Sequence, residues 1–414
     1  MHDAYIVGVG MLRSGKYLDW SVKDLTRAAV ESALNDAAIE LSAIEAAWFS
    51  NTRQGVLEGQ HGIRGQCALR AMGVQRIPIV NCDNACASSS TGLNQAVNAI
   101  KAGACDIALV VGAEKMNFPE KREAMFDAFW GGMDREIALE QLQALRALSA
   151  DMPLPGGISI QGEGSVFMDS YAAMARHYMK LFGLTQKHLA MVAAKNHWNS
   201  QFNPYAHYQN PMTTEQVLAD RLISWPLTRS MCAPMSDGAA ALILCSSSAL
   251  KRFNKKRAVR VLASQLASGV ERDPADFEQH VGRIAAKKAF EQAGVAPSEV
   301  DVAEVHDASS FAEIRHIENL GLCEIGQGAW LVENEATSLT GSIPVNTSGG
   351  LVSKGHPIAA TGAIQIHELV TQLRGEADKR QVRNPRIAAA ENGGGFYNGE
   401  EAVAAVTILE GALL

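Results

Sequence analysis

The sequence contains no run of the roughly 18 apolar residues that would cross a membrane. It also lacks a basic cluster: Lys and Arg number 37 against 44 Asp and Glu, for a net charge of −7. Nucleic acid and an anionic membrane surface are therefore excluded as expected partners. There is no room for a signal peptide, because Met1 to Gly10 enters a strand pattern at once. The final Gly411-Ala412-Leu413-Leu414 carries no peroxisomal address. Metal-site spacing is absent too. Cys82 and Cys86 lie close together, but no His or second Cys pair completes a zinc set. The odd count of seven cysteines reads as reduced thiols in a cytoplasmic protein with no bound metal.

What is present is a soluble composition, 47% hydrophobic and 20% charged, over 414 residues. That length suggests two or three domains. Strand and helix signals alternate through the first hundred residues, as in an α/β layered domain. Ser21-Val22-Lys23-Asp24 is a capping-box pattern opening a helix. Ala46 to Ser50 and the apolar run Cys105 to Gly112 read as strands, the latter buried on both faces. From Asn117 to Trp225 the texture changes to Met, aromatic and His residues in helical patterns such as Leu184 to Asn199, which suggests an inserted, mainly helical loop domain. The α/β pattern resumes at Asp237 to Cys245. A basic hinge from Lys251 to Lys256 precedes a second α/β half. The expected divisions are 1–116 and 229–255 for the first half, 117–228 for the loop domain, and 256–414 for the second half.

The chain is organised around Asn84-Ala85-Cys86-Ala87-Ser88-Ser89-Ser90-Thr91-Gly92. A strand-like run, Arg76 to Val80, leads in. A helical pattern with Leu93, Ala96, Val97 and Ile100 on one face leads out. Cys86 thus stands at a strand-to-helix turn, where a helix N-terminus favours thiolate over thiol. From this stretch alone, a nucleophile and a buried structural cysteine are equally open readings.

The second half repeats the first. Val295 to Ala303 parallels Ile39 to Ala47, and Gly355 to Gln365 parallels Ala85 to Gln95, with Thr-Gly-x-x-Gln aligned without gaps. This alignment sets His356 opposite Cys86. A pseudo-twofold between the halves would bring both turns to one site. A thiolate needs a base to form and a cation to stabilise it, and a histidine supplies both. His306 closes the strand Ala303-Glu304-Val305, at the end where α/β folds place ligands. Gly393-Gly394-Gly395 ends another strand, leaving backbone N–H groups free to face a developing oxyanion.

Together Asn84 to Ser89, Glu304-Val305-His306-Asp307, Gly349 to Pro357 and Gly393-Gly394-Gly395 resemble the thiolase superfamily. The His-Asp pair is similar to the sterol-carrier-protein-type branch, with its bacterial and archaeal acetyl-CoA acyltransferase-like members. The resemblance spans nearly the whole chain. It implies a five-layered αβαβα core of two repeated halves with an inserted loop domain. It also implies coenzyme A thioesters as substrates, with no resident cofactor. Cys86 would be acylated and His356 would activate it. With His306, His356 would stabilise the enolate, and the backbone N–H groups of Cys86 and Gly393 would bind the tetrahedral oxyanion. The implied reaction is thiolytic cleavage of a 3-oxoacyl-CoA, or the reverse Claisen condensation. The implied assembly is a homodimer, with a small zinc-ribbon and OB-fold protein as a further partner.

Two departures stand out. The family's second catalytic cysteine falls at Glu391, and the branch's cysteine after His-Asp falls at Ala308. Glu391 is therefore the candidate acid/base if burial raises its pKa, with Asp307 the less favoured substitute. The same gap leaves open a divergent subunit of a heteromeric complex, or a retro-aldolase-type relative. Met125, Phe126, Phe129, Trp130 and Met133 suggest a roomy apolar pocket, or simply core.

Overall fold

Strand runs that are mostly buried on both faces alternate with amphipathic helices and build one mixed nine-stranded sheet in the order β3-β2-β4-β7-β1-β8-β11-β10-β9. The computed structural model describes residues 3–156, 158 and 165–412. The terminal Met1-His2 and Leu413-Leu414, read above for targeting signals, lie outside them. The strands are β1 (Ala4–Met11), β2 (Ala46–Ser50), β3 (Ile79–Cys82), β4 (Ile107–Glu114), β7 (Gly238–Ser246), β8 (Val259–Ser268), β9 (Val302–Glu304), β10 (Ile387–Gly394) and β11 (Val403–Glu410). β5 (Leu222–Ser224) and β6 (Leu227–Thr228) form a separate small hairpin.

The repeat is visible in this order. Outward from the centre, the first half runs β1-β7-β4-β2-β3 and the second runs β8-β11-β10-β9. β2 and β4 pair in parallel, as do β9 and β10. A parallel bridge between Ala303 and Val345 stands where β3 pairs with β2 in the first half. The halves join through β1 and β8 at only two residue pairs, Tyr5 with Arg260 and Ile6 with Val259. That narrow seam lets the two half-sheets fold face to face.

Five layers result, helix–sheet–helix–sheet–helix. Helix Val22–Ala37 packs outside the first half-sheet, burying Leu25, Ala29 and Ala33 against Phe49, Leu109 and Ile243. Helix Val281–Ala293 does the same outside the second half-sheet, against Ala263, Val406 and Ile408. Between the sheets lie helices Ser88–Lys101 and Thr361–Leu373, whose Leu93, Val97, Ile364 and Ile366 fill the central core. These central helices cross so closely that a Cβ at Gly362 would collide with Ser90 Oγ, and Ala363 N–H donates to Ser89 Oγ at 3.0 Å.

The capping box at Ser21 forms as the sequence predicts. Strand β3 starts at Ile79 rather than Arg76, because Pro78 has no N–H to add to a ladder. After β4 the chain leaves the sheet and returns to it only at Gly238. Between them lie helices Arg122–Trp130, Ala138–Ala147, Val166–Phe182 and Gln186–Ser200. Among the described residues no helix is long and apolar enough to cross a membrane.

Leu93 is 1% exposed in the central layer, whereas Leu139 is 63% exposed. Leu93→Ala is expected to cost about 2–5 kcal/mol, read as a lowered midpoint in denaturant at unchanged slope. Leu139→Ala is expected to stay within about 0.5 kcal/mol.

Candidate active site

The turn before helix Ser88–Lys101 is tightly tied. Ala85 takes a left-handed φ of 49°, and Ala87 N–H donates to Asn84 O at 3.0 Å. Asn84 Nδ2 donates to Thr91 Oγ1 at 2.9 Å. Cys86 is thereby held between Met116 and Ile358, 9% exposed. His356 arrives from the matching turn of the second half, and His306 from the end of β9. The donor atoms of Cys86, His306 and His356 all lie within 4.8 Å of one another. The two imidazole rings stand 5.1 Å apart at 80°. They border a cavity of ≈ 540 Å³ whose wall also includes Gly393, Gly395, Arg53, Met235 and Glu401. Phe126 and Phe129 line it as well. Met125 and Met133 belong to separate packing clusters, and Trp130 packs against that of Met133.

Hydrogen bonds set the tautomers. Thr361 Oγ1 donates to Pro357 O at 3.3 Å, so its lone pairs take His356 Nδ1–H at 2.7 Å. That leaves His356 Nε2 bare, as a base requires. His306 is arranged the other way. Ser90 Oγ donates to Asn392 Oδ1 at 2.7 Å, and Asn392 Nδ2 donates to His306 Nδ1 at 2.9 Å. His306 therefore carries its hydrogen on Nε2. A metal-bound histidine commonly donates its second ring nitrogen to an acceptor. At His306 that nitrogen accepts instead, so the trio suits proton transfer and hydrogen bonding better than a metal ion.

Burial changes the expected charge state. A helix N-terminus favours thiolate, but desolvation outweighs it and pushes the Cys86 thiol up to about 12. Arg53 and the Gly395 N–H oppose this only in part. Burial also drives His356 down to about 3, with Arg53 and Lys354 adding to the shift. At rest the pair is a neutral thiol beside a neutral imidazole, not the thiolate that the helix end alone predicts.

Glu391 does not lie where the sequence argument put it. Its carboxylate is fully buried behind His306 and forms no part of the cavity wall. Oε2 accepts the His306 N–H at 3.2 Å, and Oε1 lies 3.2 Å from His316 Nδ1. Burial raises it to about 7, as anticipated. The carboxylate that reaches the cavity is Glu401, which lies across Gly393 so closely that a Cβ there would strike its Cγ. Asp307 is occupied elsewhere, accepting from Leu351 N–H at 2.6 Å and Asn196 Nδ2 at 2.9 Å. It holds the Gly350–Lys354 turn that leads to His356.

Sequence reasoning passed over Arg53, Glu114, Asn392 and Glu401. Buried Glu114 accepts from Arg53 N–H at 3.0 Å and from Ala359 N–H at 3.2 Å, pinning one half to the other beside the site. For Asn392 a signal existed: it has the parity of Ala388 and Ala390, which face the central layer.

The sequence profile described as "Thiolase, N-terminal domain" matches residues 4–223, and "Thiolase C-terminal domain-like" matches residues 268–410. An acetyl-CoA acetyltransferase from Methanothermobacter thermautotrophicus is 35% identical over 95% of this chain and 97% of its own. Sterol carrier protein 2 from Bos taurus is 35% identical over 94% of this chain and 69% of its own. In fold, the chain is similar to the Ltp2-ChsH2(DUF35) aldolase, with a TM-score of 0.76 at 21% identity, over 99% of this chain and 98% of that one.

A thiol held near 12 ionises more as pH rises. Alkylation of Cys86 by iodoacetamide, mapped by mass spectrometry, is expected to climb about tenfold per pH unit from pH 7 to 10. A rate already flat over that range would mean a preformed thiolate.

Proposed function

The chain belongs to the thiolase superfamily, in its sterol-carrier-protein-type branch, and from this thiolase-type acyltransferase framework we propose that it cleaves a 3-oxoacyl-CoA with coenzyme A, or runs the reverse Claisen condensation. The observation that carries this reading is the convergence of Cys86, His356 and His306 on one cavity, with donor atoms within 4.8 Å. Cys86 transfers its proton to His356 Nε2 as sulfur attacks the C3 carbonyl. Because both groups are neutral at rest, the ion pair forms only as the reaction proceeds. The resulting alkoxide is met by backbone N–H groups at Cys86 and along Gly393 to Gly395. Its collapse breaks the C2–C3 bond and leaves the acyl group on Cys86. The enolate oxygen of the departing acetyl unit takes a hydrogen bond from His306 Nε2–H, whose tautomer Asn392 fixes. Coenzyme A then attacks the acyl-cysteine, and His356 returns its proton to the leaving Cys86 sulfur.

The apolar part of the wall, with Phe126, Phe129 and Met235, suits an acyl chain. A homodimer and a small zinc-ribbon and OB-fold partner belong to the same proposal. The chain is similar in fold to an aldolase named with a second component, ChsH2(DUF35), and a retro-aldolase is the alternative reading. The presence of Cys86 favours acyl transfer.

Incubation with 3-oxoacyl-CoA thioesters of graded length, followed by peptide mapping, is expected to find an acyl group on Cys86 and none on Cys82. His356→Ala is expected to slow that acylation by about 10²–10⁴-fold. Acylation that survives in Cys86→Ala would remove the proposal. Cleavage that needs no coenzyme A and leaves Cys86 free would favour the retro-aldolase.

A further inference from the structure

The acyl-transfer reading leaves one step without a group. When C2–C3 breaks, the α-carbon must gain a proton; the family's two cysteine positions are Glu391 and Ala308, and Cys232, which also lines the cavity, donates its thiol to Thr228 O at 3.3 Å. Three buried residues stand in line beside the cavity. Glu401 lines the wall, its side chain 5% exposed and laid across Gly393. Behind it His316, from helix Ser310–Asn319, places Nε2 3.5 Å from Glu401 Oε1. On the far side of that ring, Nδ1 lies 3.2 Å from Glu391 Oε1. Neither His316 Nε2 nor Glu391 Oε1 has a hydrogen-bond partner, so both are buried polar atoms that meet only members of this row, while His316 Nδ1 also faces Asn319 Nδ2 at 3.4 Å. Glu401 Oε2 faces His280 Nε2 at 3.4 Å. His280 Nδ1 accepts from Gly282 N–H at 3.1 Å, so His280 offers Nε2–H to the carboxylate. Tyr171 OH completes the set by donating to Glu401 Oε1 at 3.5 Å.

We propose that Glu401 is the acid/base acting on the acetyl α-carbon, with His316 and Glu391 behind it as a proton relay. This rests on the thiolase reading of the same cavity. In the cleavage direction the C2–C3 electron pair passes to the enolate. C2 takes a proton that Glu401 draws from His316 Nε2 as Glu391 protonates Nδ1, which leaves Glu391 one proton short. The proton of the incoming coenzyme A thiol then enters through Glu401 and runs back through His316 to Glu391 as its sulfur attacks acyl-Cys86, and the relay is back where it began. In the condensation direction the Glu401 carboxylate removes the α-proton and passes it inward.

The competing account is a structural ion network. A carboxylate–imidazole–carboxylate row out of water is costly to keep for stability alone, since well-packed apolar side chains commonly serve as well or better. His316 is raised by its two carboxylates against desolvation, and Glu391 is pushed to about 7 by burial. At Glu401 burial is outweighed by His316 and His280, which hold it well below the usual carboxylate range, so it rests ionised and carries a proton only in passing. The titratable groups facing Glu391 are His316, His306 and Glu401. Glu401 also faces His280, Tyr171 and neighbouring Glu400, which is paired with Arg272 at 2.9 Å.

The test uses the full chain in deuterated water. Exchange of the acetyl methyl protons of acetyl-CoA is followed by NMR, and acetylation of Cys86 by intact mass. In Glu401→Gln the exchange rate, divided by the acetylation rate, is expected to fall about 10²–10⁴-fold, with partial recovery in Glu401→Asp. In the wild type, exchange should rise through about pH 7 as Glu391 ionises, and this inflection should vanish in Glu391→Gln. An unchanged ratio in Glu401→Gln overturns the proposal. So does an unchanged pH profile in Glu391→Gln, which decides the matter if Glu401→Gln fails to fold by thermal melting. Glu401-dependent exchange in a protein whose Cys86 never acetylates would overturn the thiolase reading and leave the acid/base assignment standing.

Discussion

The close crossing of the two central helices is the contact on which the site depends. Ser88–Lys101 and Thr361–Leu373 can approach only because Ser89, Ser90, Gly362 and Ala363 are small at the crossing. A single added Cβ at Gly362 would push the second helix away, and His356 rides on the turn before that helix. The sheets clamp the same helices from both sides through Leu93, Val97, Ile364 and Ile366. Rigid packing of this kind sets where two side chains from distant parts of the chain will meet. Glu114 adds a polar tie across the halves, from β4 to Ala359 N–H.

Burial then governs the chemistry. A cysteine and an imidazole taken out of water are both held neutral, the thiol against the pull of a helix end and of Arg53, the imidazole with Arg53 adding to the effect of burial. The site therefore stores no charge-separated pair at rest. Direction is supplied by hydrogen bonds made outside the cavity: Thr361 orients one histidine as an acceptor and Asn392 orients the other as a donor. Two chemically identical rings 5.1 Å apart thus receive opposite roles from their neighbours. The carboxylates obey the same logic: burial raises Glu391, whereas at Glu401 burial is outweighed by His316 and His280, which hold it below its ordinary range.

Much of this was legible in the chain itself. The offset between Ile39–Ala47 and Val295–Ala303 fell on matching elements, a short 3₁₀ turn followed by a strand in both halves. The opposition of Cys86 and His356 by the repeat turned out to be spatial. Local rules suffice there, since turn residues, apolar periods and spacing are all properties of neighbouring residues. The helix end that predicts a thiolate is also local, and at Cys86 it lost to desolvation, which is not.

Alternation along β10 explains the misplacement of Glu391. Ala388, Ala390 and Asn392 point to the central layer, whereas Ala389 belongs to the outer core and Glu391 follows it. The cavity carboxylate comes instead from Glu401, brought back over Gly393 as the chain turns between β10 and β11, where Gly393 pairs with Ala404. No spacing rule in one dimension reports such a return. By itself the sequence determined the repeat, the elements, and the residues Cys86, His306 and His356, because these follow from local pattern. Only the tertiary structure decided which carboxylate meets the cavity and which groups stand neutral, because side-chain direction and depth of burial depend on what the rest of the chain packs around them.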